Sequence, residues 1–168
     1  ELFKGLYIDS TDYDWKGYPV IHIDFSDITF SEVNDLKRQI RNSIFEIARN
    51  YGVTFSSDYA YNEALKYLII ELSKREKVVV LIDEYDSLLN NNINNENIEG
   101  IREVLRGFYS VLKASSANIR FCFITGVTKF SKMSIFSSMN NLVDISMSDE
   151  YSTMLGYTQE ELEENFSE

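Results

Sequence analysis

Residues 77–86 read KVVVLIDEYD. Five aliphatic side chains stand in a row from Val78 to Ile82, and no polar residue interrupts them. A run of this kind reads as a β-strand covered on both faces, the sort found inside parallel sheets. It then meets Asp83, Glu84, Tyr85 and Asp86, three carboxylates and a phenol in four positions. Carboxylates are almost never buried without partners. The strand therefore ends at an edge where acids are hydrated, paired or put to use.

The rest of the chain alternates strand-like and helix-like segments. YPVIHIDFS (18–26) is a short β-rich run with Pro19 tolerated at its start. IRFCFITG (119–126) is a second buried strand closed by Gly126, and NLVDIS (141–146) is a weaker one. Between Phe30 and Tyr51, Phe30, Val33, Leu36, Ile40, Ile44, Ile47 and Ala48 recur at helical spacing. Thr29 with Glu32 offers that helix a capping box, and Gly52 a stop. A second amphipathic helix fits 59–75, with Ala64, Leu65, Leu68, Ile69 and Leu72 on one face. A third fits 97–114, with Ile98, Ile101, Val104, Leu105, Phe108 and Leu112 inward, after an Asn-rich, turn-prone stretch at 90–99. Thr158 and Glu161 form a capping box for a last helix. This alternation predicts an α/β fold, a mainly parallel sheet flanked by helices, in one domain over 1–168 with no internal repeat or linker. The chain opens on Glu1 and closes on QEELEENFSE, which reads as a helix cut short, so a piece of a larger domain is expected.

Charge narrows the partners. Sixteen Lys and Arg against 27 Asp and Glu give a net charge of −11, which repels phosphate backbones at long range. Direct nucleic-acid binding by this segment is not expected. Lys37, Arg38 and Arg41, the one basic grouping, read as a solvated helix face. No apolar run of membrane-spanning length and no signal-peptide pattern near the start is present. Cys122 is the only cysteine and has no partner for an internal disulfide, which suits a reducing compartment such as the cytoplasm. His22 is the only histidine, lies between Ile21 and Ile23, and reads as a packed core or groove residue.

In open α/β sheets, ligands bind beyond the carboxyl ends of the strands. A hydrophobic strand followed by Asp-Glu has the form of a Walker B element. A rigid strand would hold Asp83 where it can ligate Mg²⁺, directly or through water, and Glu84 could polarise the water that attacks a γ-phosphate. Thr125 ends the next strand, where ATPases of this layout carry a polar sensor. Asp86 reads as a helix cap or loop acid. A phosphate-binding G-x-x-x-x-G-K-[ST] loop is absent from these 168 residues: of glycines 5, 17, 52, 100, 107, 126 and 156, none precedes a lysine. Two other readings compete. One is an interaction or regulatory scaffold derived from an ATPase. The other is a metal-dependent hydrolase site built on Asp83, Glu84 and Asp86, with a further acid such as Asp24.

The segments ELFKGLYI, YPVIHIDFS, VVVLIDEYD, REVLRGFYSVLK, IRFCFITGVTKFSKMSIFS, NNLVDIS and LGYTQEELEENF together resemble the AAA-ATPase-like domain family, P-loop proteins found mostly in bacteria. The resemblance spans nearly the whole chain. It implies a phosphate loop of the Arg-Arg-Phe-Gly-Lys-Ser/Thr type some tens of residues upstream of ELFKGLYI, and often a C-terminal region similar to PD-(D/E)xK nucleases. It implies Mg²⁺ and ATP as cofactors of the intact protein, with Asp83 as the magnesium-linked acid, Glu84 as the catalytic base and Thr125 as the sensor. Lys129 and Lys132 would approach phosphate or a neighbouring subunit, and Arg102, Arg106 and Arg120 are further positions for an arginine finger. The family's expected strand order, 5-1-4-3-2, makes 19–25, 78–83 and 120–125 strands 2, 3 and 4 of a truncated P-loop NTPase (ASCE-like) core that lacks the first strand and phosphate loop. Strand 120–125 would then have a bare edge, onto which 142–146 folds or at which two chains associate. The isolated chain is expected to bind ATP weakly or not at all.

Overall fold

The computed structural model describes residues 2–94, 96–127, 134–136, 139, 141–154 and 156–166. Three strands, β1 (Val20–Asp24), β2 (Val78–Asp83) and β3 (Ile119–Ile124), form a parallel sheet in the order β1-β2-β3. The register sets Ile21 opposite Val80, Ile23 opposite Ile82 and Asp24 opposite Asp83. On the other side Val80 faces Cys122 and Ile82 faces Ile124, after an irregularity at Val78–Val79. The expected α/β class, the parallel pairing and the order of these three strands all hold.

Helices α1 (Val33–Asn50), α2 (Tyr61–Ser73) and α4 (Ile98–Ala114) join the sheet in one core, with the short α3 (Ser87–Asn90) after β2 and α5 (Gln159–Phe166) near the end. Each long helix buries most of the stripe that its spacing predicts, with Val33, Ile47 and Ile98 only half-buried at its margin. In α1 the buried residues are Leu36, Ile40, Ile44 and Ala48; in α2, Ala64, Leu65, Leu68, Ile69 and Leu72, with Tyr61 added. In α4 they are Ile101, Val104, Leu105, Phe108 and Leu112, and Tyr109 joins them. Helix α1 starts at Val33, not Phe30, because the cap position is Glu32, three residues later than the Thr29 that the sequence suggests. Asp35, not Glu32, reaches back to the chain and accepts from the Ser31 backbone N–H at 3.2 Å. Gly52 ends α1 with φ +69°, and the Val53 N–H closes onto the Ala48 carbonyl at 2.9 Å. The capping box of α5 forms in both directions, Thr158 N–H to Glu161 Oε2 at 2.8 Å and Glu161 N–H to Thr158 Oγ1 at 3.1 Å.

Two expectations about the sheet need correction. Ile21, Ile23, Val78, Val80 and Ile82 lie in the core, but the alternating residues do not. Val79 and Leu81 are half-buried, His22 is exposed, and Phe121 is 53% exposed, its ring stacked near Phe123 at 6.1 Å. One face is therefore covered and the other is largely open. His22 is a surface residue of the open face, since every second side chain of a strand shares a face. The second correction concerns 141–146, which is not a strand. Only Leu142 packs against the core, while Val143 is 83% exposed. Local bonds take up the backbone instead: Ser146 N–H to Asp144 Oδ1 at 3.0 Å and Ser148 N–H to the Ile145 carbonyl at 3.1 Å. Met139 and Leu142 lie along β3 and line a cleft of about 270 Å³ with Leu112, Ile119 and Cys122. No helix among the described residues is long and apolar enough to cross a membrane.

The core makes the chain sensitive to alkali. Burial pushes the Cys122 thiol up to about 11. Burial, and then the Asp86 and Asp144 carboxylates, push the Tyr85 phenol up to about 12. In the unfolded chain these groups ionise near 8.5 and 10. Their neutral forms thus favour the fold fully below about pH 8.5, and that contribution falls as pH rises toward the folded values. Urea midpoints should hold steady from pH 7 to 8 and fall steeply between pH 9 and 11; a flat profile to pH 11 would contradict this burial.

Candidate functional site

The acids predicted to matter stand at the carboxyl end of β2, beside the tip of β3. Asp83 is the last residue of β2 and Thr125 follows β3 directly. The Thr125 hydroxyl donates to Asp83 Oδ1, and the Glu84 backbone N–H donates to the same oxygen at 3.1 Å. Oδ2 of Asp83 takes no hydrogen bond among the described residues. The rigid strand fixes the carboxylate, and its neighbours occupy one oxygen and leave the other open.

Glu84 turns the chain. Its φ is +50°, a left-handed conformation that costs a non-glycine residue roughly 1–2 kcal/mol. The turn breaks the two-residue alternation of the strand. Glu84 is exposed, while the next residue, Tyr85, is buried, with its ring 5.1 Å from that of Phe136. The β2 and β3 tips stay joined across this kink: the Thr125 N–H bonds the Ile82 carbonyl at 2.9 Å, and the Tyr85 N–H bonds the Thr125 carbonyl at 3.0 Å.

Asp86 departs from its sequence reading. It occupies the position before α3, but its side chain makes no cap bond to that helix. It is fully buried. Its carboxylate accepts from the Val127 backbone N–H at 3.3 Å and from Asn90 Nδ2 at 2.9 Å. Gly126 lies so close that an added Cβ would run into the Tyr85 ring and the Asp86 carboxylate. Spacing alone could not have shown this, because a third acid after a strand looks like any solvated turn residue.

The remaining candidates are dispersed. Asp24 stands opposite Asp83 in register, but its Oδ1 is engaged by the Ser26 N–H at 2.8 Å and the Ser26 hydroxyl at 2.7 Å. Among the described residues, no group of three or more His, Cys, Asp and Glu could cage a metal ion. A nucleotide-bound Mg²⁺ asks for less, often one carboxylate with phosphates and waters completing the shell, and Asp83 with an open oxygen on a fixed strand fits that demand. Arg102 and Arg106 both bind Glu99, at 3.1 and 3.0 Å, and hold that carboxyl below its usual range. Arg120 lies at the start of β3, the end away from Thr125, with its guanidinium 5.9 Å from the Tyr18 ring. In the α1 basic group, Arg38 pairs with Asp35 at 2.6 Å and Arg41 sits 5.5 Å from the Phe45 ring. Lys129 and Lys132 lie outside the described residues.

A family model described as "Predicted AAA-ATPase" matches residues 1–136. An uncharacterised protein encoded in the vnfD 5′ region of Azotobacter chroococcum mcd 1 is 37% identical over 171 residues, which is 99% of this chain and 33% of that protein. The chain thus spans about a third of the length of this relative. No solved structure matches the chain. With the family match running from the N-terminal segment through all three strands and past the β3 tip, the chain belongs to the AAA-ATPase-like family.

Proposed function

We propose that the tips of β2 and β3 form the hydrolytic half of a magnesium–ATP site. The observation that carries this reading is the hydrogen bond from the Thr125 hydroxyl to Asp83. It puts a neutral hydroxyl and a fixed acid from neighbouring strands on one spot beyond the sheet, where open α/β folds bind ligands. Asp83, through its open Oδ2, would hold Mg²⁺ directly or through the metal's water. Glu84, thrown into solvent by its left-handed turn, takes the proton of the attacking water. Thr125, exchanging its bond between Asp83 and the nucleotide, reports on the γ-phosphate and helps orient the water. Mg²⁺, when bound with the nucleotide, neutralises charge on the β- and γ-phosphates.

In this reading β1, β2 and β3 are strands 2, 3 and 4 of a P-loop core. The phosphate loop belongs to a strand beside the outer edge of β3, and its absence from these 168 residues leaves the chain on its own unable to hold ATP firmly. Lys129 and Lys132 follow the β3 tip in sequence and would serve phosphate or a neighbouring subunit, and the β3 edge is the route to self-association of residues 1–168. The test is phosphate release by a chain that carries these residues together with a phosphate loop. Magnesium-dependent release, absent from residues 1–168 alone, is the expected result. No release from the longer chain, despite an intact loop lysine, would leave the non-catalytic scaffold as the better reading.

A further inference from the structure

The kink at Glu84 creates a problem that the chain must solve. In a parallel pair, bonds alternate between strands, each N–H reaching a carbonyl two residues further along. The tips obey this for two rungs, Thr125 N–H to the Ile82 carbonyl and then Tyr85 N–H to the Thr125 carbonyl. The second rung already uses residue 85, because the left-handed Glu84 has inserted one extra position. The next donor on the β3 side is the Val127 N–H, and it finds the side-chain Oδ1 of Asp86 at 3.3 Å, not a β2 carbonyl. The carboxylate stands in for the missing backbone acceptor.

Three further features keep Asp86 in that place. It is fully buried, so it cannot swing into water. The Asn90 amide donates to Oδ2 at 2.9 Å from one turn along α3, which orients the carboxylate. Gly126 lets the loop press onto it, since any Cβ there would strike the Tyr85 ring and the carboxylate itself.

We propose that Asp86 is a positioning residue: it extends the β2–β3 ladder by one side-chain rung past the Glu84 kink, and so holds the backbone turn that carries Glu84 and the β3 tip that carries Thr125 in fixed relation. This rests on the reading of Glu84 and Thr125 as catalytic groups, whereas the ladder itself does not. Without the rung, the hydrogen bonds that tie 125–127 to the β2 tip among the described residues all run through Thr125, and the β3 side of the kink loses its last brace.

The test has two arms. Amide exchange is measured by NMR on residues 1–168 for Asp86→Ala, for the milder Asp86→Asn, and for Asp86→Asn combined with Asn90→Asp. The combined exchange keeps an acceptor for Val127 and reverses the bond to position 90. Asp86→Ala should speed exchange at Val127 and Tyr85 by about tenfold or more relative to Ile23 and Val80, Asp86→Asn by less, and the double variant should restore the slow rates. Unchanged exchange at Val127, or equal acceleration at all four amides, would overturn the side-chain rung. If the alanine variant fails to fold, the asparagine pair decides the same point. In a chain with a phosphate loop, Asp86→Ala should lower kcat by about tenfold or more with KM for magnesium–ATP within about twofold, again recovered by the double variant. A KM change alone, or no kcat change while exchange at Val127 rises, would overturn the positioning role. A wild-type chain without turnover would instead defeat the ATPase reading, and the exchange arm would still stand or fall by itself.

Discussion

Glu84→Gln lowers ATP turnover by about 10²–10⁴-fold in a chain that carries a phosphate loop, with magnesium–nucleotide affinity within about twofold of the parent. The amide is nearly isosteric but cannot take a proton. The Glu84 side chain is exposed and makes no hydrogen bond or ion pair among the described residues, so its loss disturbs little of the fold. Stability should therefore change by no more than about 0.5 kcal/mol. The left-handed φ of +50° is shared by the variant, since both residues bear a Cβ. Single-turnover hydrolysis and nucleotide titration on the same preparation separate the two effects. Equal loss of binding and turnover would mean that the carboxylate serves affinity and not chemistry. Unchanged turnover would remove Glu84 from the reaction.

Phe108→Ala destabilises the fold by about 3–5 kcal/mol. Phe108 is fully buried in α4 and meets Phe25 edge-on, with ring centroids 5.4 Å apart, and Tyr109 at the same separation. Phe25 follows β1, and its N–H bonds the Asp83 carbonyl at 3.0 Å. The aromatic contact thus anchors α4 to the segment that holds the β1 tip against Asp83. Truncation leaves a cavity that rigid neighbours on the sheet cannot fill. Urea denaturation should show the full loss, and exchange at Phe25 should accelerate before exchange at Val80 does. Leu162→Ala, on the exposed α5, should cost less than about 0.5 kcal/mol under the same conditions. A Phe108→Ala cost below about 1 kcal/mol would mean that α4 and β1 are not joined through this ring pair.

Much of the fold was legible in the sequence because burial leaves a period. Helix α4 could be read from Ile101, Val104, Leu105, Phe108 and Leu112 alone, and β2 from its aliphatic run. What the run did not encode is how much of it this chain covers. Val79 and Leu81 are as apolar as Val78 and Val80, yet they face the open side. NLVDIS misled for the opposite reason. Its three apolar residues have strand-like preferences, but Asp144 offers the backbone a local acceptor and only Leu142 finds the core. At the site, sequence pattern brought out Asp83, Glu84 and Thr125, and the fold does bring Asp83 and Thr125 into contact. Asp86 was visible only as a third acid. Its burial depends on the Glu84 turn and on Gly126, from segments some forty residues apart, and no local spacing carries that information.

The most direct measurement places the metal. With Mn²⁺ and ATP bound to a chain that carries a phosphate loop, paramagnetic broadening of backbone amides should centre on Asp83, Glu84 and Thr125, leave Arg120 and Val78 at the far end of the sheet sharp, and disappear in Asp83→Asn. Broadening centred elsewhere, or persisting at full strength in Asp83→Asn, would contradict a magnesium–nucleotide site at the tips of β2 and β3.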